Sequence, residues 1–403
     1  MKVCMVTATY LPYQEYGAER AVRLLAGGLR RGGCDVRVVT TCPAGQDRVE
    51  RVDDHDVAYV SQRNGYWSGD RETKSTLAKV AWHVRDTYNP AMQAAVGRML
   101  DDWRPDVVHT HILAGFSVAA WHAARRRDIP IVHTIHDYYL LCPRSSMFVG
   151  RAACGGQCFA CRVLAVPRCR ATGLVDAVTA PSAAVLSAHL GRGLFRRAAV
   201  KNVVQYVVPP AEPPAAGGPR HGVVVGFLGR LTPDKGVHLL LDWFTGAVGS
   251  RHGDWRLLVA GTGPLEQQVR EACASDPRVE YLGYSAPDDF FPRITALVVP
   301  SIWHDPSPVV IREAYARGIP VAGSVFGGIP ELIRLVDDRL IFDPREAADM
   351  TRVIGLVTAR EEQPGLRSRS LDATVNFAAT RICPEMERIY HSCVGGRERH
   401  AER

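Results

Sequence analysis

The sequence predicts a doubly wound α/β protein of two Rossmann-like domains, and three observations predict it. Short β-branched runs alternate with longer helical patterns almost from end to end. The runs lack polar alternation, as strands of a parallel sheet covered by helices on both faces do. A single break rich in Pro, Gly and Ala, PPAEPPAAGGPRHG at 209–222, divides the chain into halves of similar size, and a strand restarts directly after it.

The first series of strand-like runs is 2–7, 35–41, 57–60, 106–111 and 129–137. The second is 223–229, 256–260, 279–283, 296–301 and 320–324. Helical patterns fall between them, at 18–31, 76–103 and 264–274, and the tail from 372 to 394 also reads as helical. The expected organisation is a first domain at 1–208 with a Cys-rich insertion at 142–170, a linker at 209–222, a second domain at 223–371 and C-terminal helices at 372–403.

Composition narrows the function. Of 403 residues, 46% are hydrophobic and 23% charged, which argues against disorder. Apolar runs such as 296–300 are too short to span a bilayer, and the first residues form a strand-like run without the h-region of a signal peptide. A cytoplasmic location is expected. The net charge of +7 is scattered, and no zinc-finger, helix-turn-helix or RNA-binding pattern accompanies it. Nucleic acid is therefore not an expected partner, whereas a small anionic ligand or peripheral contact with an anionic membrane fits the charge. Arg20, Arg23, Arg30 and Arg31 make the first helix basic, read first as a solvated face. Eleven cysteines without an export signal do not suggest a disulfide framework.

Three motifs carry chemistry. Gly17 stands directly before a helix, where it either lets an anion approach free backbone N–H groups or simply makes a turn. In Gly226–Gly236 a buried strand ends at Gly229, and Arg230 and Lys235 follow on a loop that feeds a helix. Such cations at a strand end can clamp a diphosphate, Arg through two oxygens and Lys as a point charge; the alternative is a pair of solvated cations. In Pro300–Gly318, Ser307 suits an N-cap, Pro308 the first helical position and Gly318 the C′ position. Asp305 precedes that helix and Glu313 lies on it. One acid can hold sugar hydroxyls and the other ribose hydroxyls, or both merely flank a helix. The strand-end setting and the nearby Gly327–Glu331 favour a site.

With these motifs in order, the chain resembles a family 4 glycosyltransferase of the GT-B fold, two Rossmann-like domains facing across a cleft. The resemblance covers nearly the whole length. It rests on Gly17–Glu19, His109–His111, His136–Asp137 followed by Cys142–Pro143, and Gly229–Gly236. Gly261–Pro264, the acids Asp305 and Glu313, and Gly327–Glu331 complete it. It implies a retaining, metal-independent transferase using a nucleotide-diphosphate sugar of UDP or GDP type, with no cofactor needed for catalysis. The acceptor is unknown: a natural product, a cell-wall precursor or a polysaccharide precursor.

By the same resemblance Arg230 and Lys235 bind the donor diphosphate, Glu313 the ribose and Asp305 the sugar hydroxyls. Gly229, Gly263, Ser307, Pro308 and Val309 surround phosphate and sugar, and Gly17 closes on the diphosphate from the first domain. His136 sits beside the anomeric carbon, and the tail helices cross back to the first domain. The family usually has Glu where Asp305 stands, and Pro308 removes an N–H that many members offer. His136, Asp305, Arg230 and Lys235 are the expected catalytic set. A nucleotide-sugar epimerase on the same architecture and a non-catalytic nucleotide-sugar binder remain as competing readings.

One cluster stands apart from this scheme. Cys154-x3-Cys158-x2-Cys161, with Gly155-Gly156 between, resembles a zinc knuckle, with Cys142 or Cys169 as fourth ligand. Free thiols or an adventitious disulfide are the alternatives. The segment 62–75 is polar and contains Tyr66 and Trp67, either an acceptor-contacting loop or an unstructured one.

Overall fold

The computed structural model describes residues 1–13, 17–212, 222–246 and 254–401. Most of the expected linker, 213–221, lies outside these residues. The chain divides into two compact units. Unit 1 comprises Met1–Met147, Gly155–Val207 and Ala379–Arg403; unit 2 comprises Phe148–Cys154 and Val208–Ala378.

The strands of unit 1 are β1 (Lys2–Val6), β2 (Asp35–Cys42), β3 (Arg48–Val52), β4 (His55–Ser61), β5 (Val107–Thr110) and β6 (Ile131–Thr134). After the small hairpin β7 (Phe148–Val149) and β8 (Ala152–Ala153), which clusters with unit 2, come β9 (Ala177–Ala180) and β10 (Val200–Val203). They form one eight-stranded sheet in the order β10-β9-β6-β5-β1-β2-β4-β3, parallel except for the β3–β4 pair. Its helices are α1 (Gly17–Arg31), α2 (Thr76–Arg85), α3 (Pro90–Trp103), α4 (Ala119–Arg125), α5 (Phe159–Ala171) and α6 (Ala183–Leu190).

Unit 2 contains β11 (Val224–Leu228), β12 (Arg256–Ala260), β13 (Val279–Tyr281), β14 (Ala296–Val299), β15 (Val321–Ser324) and β16 (Ile341–Phe342). Their order is β13-β12-β11-β14-β15-β16, all parallel. The helices are α7 (Val237–Thr245), α8 (Glu266–Ser275), α9 (Pro287–Phe290), α10 (Val309–Tyr315), α11 (Ile329–Ile333), α12 (Ala347–Thr358) and α13 (Gln363–Ala373). The chain ends in α14 (Ala379–Ala401), which returns to unit 1.

Each central strand is buried along nearly its whole length, from Val3–Val6 in β1 to Ala296–Val299 in β14, so the cores lie on both faces of each sheet. Several boundaries differ from the sequence reading, each for a local reason. The helical pattern at 76–103 is two helices. Asn89 Oδ1 accepts from the N–H groups of Ala91 and Met92, and Pro90 occupies the first turn, so α3 starts afresh there. Residues 372–378 stay with unit 2 instead of opening the tail, because Phe377 is buried in its core and its carbonyl accepts from Val208 N. The stretch 148–154 of the expected insertion likewise belongs with unit 2.

Candidate functional site

In unit 2 the chain runs from β11 outward to β12 and β13, then returns to place β14 on the other side of β11. The loops after β11 and β14 therefore diverge at a topological switch point, the place where open α/β sheets bind ligands at the carboxyl ends of their strands. Arg230 and Lys235 stand on the first loop; Asp305 and Ser307 stand on the second.

The two loops are bonded to each other. Lys235 Nζ lies 2.5 Å from Asp305 Oδ2 and 5.3 Å from the Trp303 ring centroid. Asp305 Oδ1 accepts from Ser307 N at 3.2 Å, and its carbonyl accepts from Gly328 N at 2.8 Å. The side chain of Asp305 is buried, whereas Arg230 is 51% exposed, with Asp234 3.5 Å away. A cation so exposed gains little from that neighbour and remains available to an anion.

Glycines make this closeness achievable. Gly236 has φ +72°, and a Cβ there would lie 1.9 Å from the Pro300 carbonyl oxygen, so only glycine lets the lysine loop reach the end of β14. Gly261 has φ +133°, and its Cβ would stand 1.8 Å from the Gly229 carbonyl oxygen. Gly263 lies similarly close to Leu231, whose N–H donates to Thr262 O at 2.8 Å. Near the same strand ends, the hydroxyls of Thr232 and Ser301 are buried without a hydrogen-bond partner.

The start of α10 differs from expectation. Pro308, not Ser307, is the N-cap, and the helix begins at Val309. Buried Arg312 is the reason: its Nη2 donates to Ser307 Oγ at 2.5 Å, and its Nη1 to the Ser307 and Pro308 carbonyls at 3.4 Å each. The hydroxyl is thereby taken up by the guanidinium instead of capping. Sequence reasoning missed Arg312; its signal was a lone cation in the run Val309–Ala314. Glu313 is buried on the same short helix.

In unit 1 the switch point falls between β1 and β5. Gly17 is exposed at the first position of α1, while Tyr16 before it lies outside the described residues. His111 follows β5 and His136 follows β6. His136 Nδ1 bonds the Tyr206 hydroxyl at 2.8 Å, and its Nε2 meets His111 Nδ1 at 3.0 Å. His109 joins Tyr390 Oη and Thr134 Oγ1, each at 2.7 Å. A small cavity bordered by His111, His136, Thr134 and Tyr206 opens here, and His111 Nε2 has no partner. Burial pushes the pKa of His136 and His109 down to about 3, and those of His111 and His133 well below 6.5. His136 is thus a neutral imidazole with both ring nitrogens engaged, and a sugar can bond it only by replacing one of these partners.

A second buried node escaped the sequence reading. Asp86 closes α2 and receives Asn64 Nδ2 at 3.0 Å, Gly115 N at 2.8 Å and the Tyr139 hydroxyl at 2.8 Å. Arg168 of α5 lies 3.5 Å away, both side chains are fully buried, and its guanidinium stacks 3.9 Å from the Tyr139 ring centroid. This node ties the loops after β4, β5 and β6 to α2 and α5. Burial raises the Asp86 pKa to about 6 despite Arg168, and Asp137 is raised to about 6 for the same reason.

The thiols of Cys142, Cys158 and Cys161 lie close to one another but do not complete the expected zinc site. Among the described residues no group of three or more His, Cys, Asp or Glu is placed to hold a metal ion. Cys154 follows β8 in the hairpin that clusters with unit 2, and the Cys169 thiol faces the Leu140 carbonyl at 3.9 Å. Cys158 and Cys161 instead share the first turn of α5. The backbone N–H and thiol of Cys161 lower the Cys158 pKa; burial, then Cys158 and Cys142, push Cys161 up to about 12.

Known proteins share this architecture. A family model described as Glycosyltransferase Family 4 matches residues 16–200, and one described as Glycosyl transferases group 1 matches residues 222–358. The chain is 28% identical over 338 residues to an uncharacterized 42.6 kDa protein in the cps region of Klebsiella pneumoniae, covering 83% of this chain and 88% of that protein. It is 28% identical over 341 residues to a GDP-mannose-dependent alpha-mannosyltransferase of Mycobacterium tuberculosis, covering 83% and 81%. Sucrose-phosphate synthase from Thermosynechococcus elongatus superposes with TM-score 0.74 at 17% identity, covering 98% of this chain and 99% of that one. Anabaena HepE in complex with UDP superposes with TM-score 0.69 at 18% identity, covering 97% and 100%.

Proposed function

Because the chain belongs to the family 4 glycosyltransferases of the GT-B fold, we propose that it moves a sugar from a nucleotide-diphosphate donor to an acceptor hydroxyl with retention at the anomeric carbon. The observation that carries this reading is the exposed Arg230 beside the Lys235–Asp305 pair at the β11/β14 switch point. Arg230 and Lys235 take the diphosphate, Asp305 accepts hydrogen bonds from sugar hydroxyls, and Glu313 serves the ribose. Gly229, Gly263, Ser307, Pro308 and Val309 form the backbone wall of the donor site in unit 2. The donor is of UDP or GDP type: HepE is seen with UDP, and the mycobacterial relative is GDP-mannose-dependent.

In the reaction the anomeric carbon–oxygen bond breaks, and its electron pair leaves on the β-phosphate oxygen. The acceptor oxygen bonds the same face of the anomeric carbon, and its proton passes to the departing phosphate oxygen. Arg230 and Lys235 neutralise the charge that develops, the largest assistance such fixed cations supply, in place of a divalent metal. Within unit 1, His136 is a neutral imidazole held by His111 and Tyr206.

Thermal shift with UDP, GDP, ADP and dTDP identifies the base, since a ligand that binds only the folded chain raises the melting temperature. Nucleotide release from the matching sugar donor then tests turnover, and proton NMR of the product tests retention. Tight binding without turnover would reduce the chain to a binder, sugar interconversion without an acceptor would make it an epimerase, and an inverted product would remove the retaining mechanism.

A further inference from the structure

Three thiols of unit 1 meet at the start of α5. Cys158 is the residue directly before the helix, and Cys161 stands in its first turn, with Phe159 and Ala160 between them. The Cys161 thiol meets the thiols of both Cys158 and Cys142. Cys142 lies on the turn after β6, where its N–H donates to Tyr138 O and its carbonyl accepts from Ser145 N. Gln157 holds the two segments together: its Nε2 donates to Leu141 O at 2.6 Å, joining the residues just before Cys158 and Cys142. The three cysteines are graded in exposure, with Cys158 in solvent, Cys161 half-buried and Cys142 buried.

Neither core packing nor capping accounts for this arrangement. A structural cysteine ordinarily behaves as a small buried hydrophobe, whereas Cys158 is exposed. Helix starts favour Ser, Thr, Asp or Asn at the position it occupies. A Cys-x-x-Cys pair entering a helix of an α/β domain is instead the spacing of a redox dithiol. Residues three apart around a helix start have Cα atoms about 5 Å apart, inside the roughly 4.4–6.8 Å that a disulfide spans. The surrounding charge has one sign. From Tyr138 to Val175 the chain has five arginines and no acidic residue, and Arg144 and Arg162 are exposed. Cations beside a thiol favour the thiolate, the nucleophilic form.

We propose that Cys158 and Cys161 form a reversible dithiol–disulfide site that takes a small disulfide as its oxidant and a small thiol as its reductant. Cys158 attacks first: its thiolate bonds one sulfur of the small disulfide, whose S–S bond breaks. The electron pair leaves with the other half, which takes up the proton that Cys158 gave off. Cys161 then loses its proton and bonds the Cys158 sulfur, displacing the second half as a thiol. The chain gives up two hydrogens and the small disulfide gains them. Cys161 touches the sulfur that carries the adduct, so it, and not the buried Cys142, resolves the adduct. The pair belongs to unit 1 and does not depend on the donor loops proposed in unit 2.

The test is incubation of the reduced full chain with oxidised glutathione, read by intact-mass and fragment mass spectrometry. Loss of two hydrogens and a bridge between Cys158 and Cys161 are expected, both reversed by dithiothreitol. Cys161→Ser should stop at a glutathione adduct on Cys158. Cys158→Ser should slow the loss of two hydrogens by roughly tenfold or more, since the entry thiol is gone. Its melting temperature should stay at the parent value, because the side chain is already in solvent. Capping Cys158 of the parent with limiting iodoacetamide should also prevent the bridge, a readout that needs no variant. A bridge from Cys142 or Cys154, an adduct that persists on the parent, or no loss of hydrogens would each overturn the proposal. So would equal oxidation of parent and Cys158→Ser, or one zinc ion per chain in freshly purified protein, because the thiolates would then already be engaged.

Discussion

Lys235 and Asp305 are 70 residues apart in sequence, yet their charged atoms lie 2.5 Å apart at the adjoining ends of β11 and β14. The pair holds the two side chains aligned at the strand ends where a sugar nucleotide would arrive. Lys235→Ala is expected to lower kcat/KM by roughly 10²-fold or more, the range for a group that stabilises developing charge. The check is steady-state kinetics on protein whose circular dichroism matches the parent; an unchanged kcat/KM would remove Lys235 from the chemistry.

The glycine contact behind that alignment gives a stability prediction. Gly261→Ala places a methyl against the Gly229 carbonyl at a backbone angle that L residues rarely adopt. The strain costs about 1–3 kcal/mol even if the loop moves away. The melting temperature should fall and the nucleotide-induced shift should shrink with it. Gly355→Ala on α12 is the control, since nothing lies within 4 Å of its added Cβ. There a gain of about 0.5–1 kcal/mol is expected. Equal melting curves for the two variants would contradict the packing described.

Acid should destabilise the chain through its histidines. His109, His111, His133 and His136 all have pKa values depressed below 6.5, two of them to about 3. A depressed folded-state pKa contributes stability that is present above 6.5 and lost as the pH falls toward the folded value. Asp86 and Asp137, raised from 3.8 to about 6, act in the opposite sense: their contribution is present below 3.8 and lost as the pH rises through 6. The four histidines outweigh the two acids, so urea midpoints should drop between about pH 7 and pH 5, by up to roughly 1.4 kcal/mol per net proton per pH unit. A midpoint that rises over this range would show that the histidines are not held neutral.

Thiol reactivity should be strongly uneven. Cys158 is exposed and its pKa is lowered by backbone N–H groups at the start of α5, whereas burial raises those of Cys4, Cys383 and Cys393. Limiting iodoacetamide should label Cys158 before any of these three, because the thiolate is the nucleophile. Peptide mass spectrometry reads the order, and first labelling of Cys4, Cys383 or Cys393 would refute the burial pattern.

Much of this was readable in the sequence where the signal is local. Unalternated strands fixed the two parallel sheets, and 256–260 matches β12 residue for residue. Gly236 and Gly261 announce close approaches because no other residue fits there. Edge strands β3 and β10 went unseen: the one alternates little and the other, Val200–Val203, carries Lys201 and Asn202 in the middle. The Asp86–Arg168 and Lys235–Asp305 pairs were equally invisible, since 82 and 70 residues separate their members and only the sheet order brings them together. Arg312 was hidden by its helix, where a cation ordinarily reads as solvent-facing.

The final helix has a consequence for how the molecule comes into being. Tyr390 on α14 bonds His109 beside the first sheet, and Cys383 stands where any side chain at position 28 would have to go. A ribosome therefore releases nearly all of the chain before the first unit can close its core. The second unit, whose stretch from Val208 to Ala378 is uninterrupted, can mature ahead of the one that emerged before it.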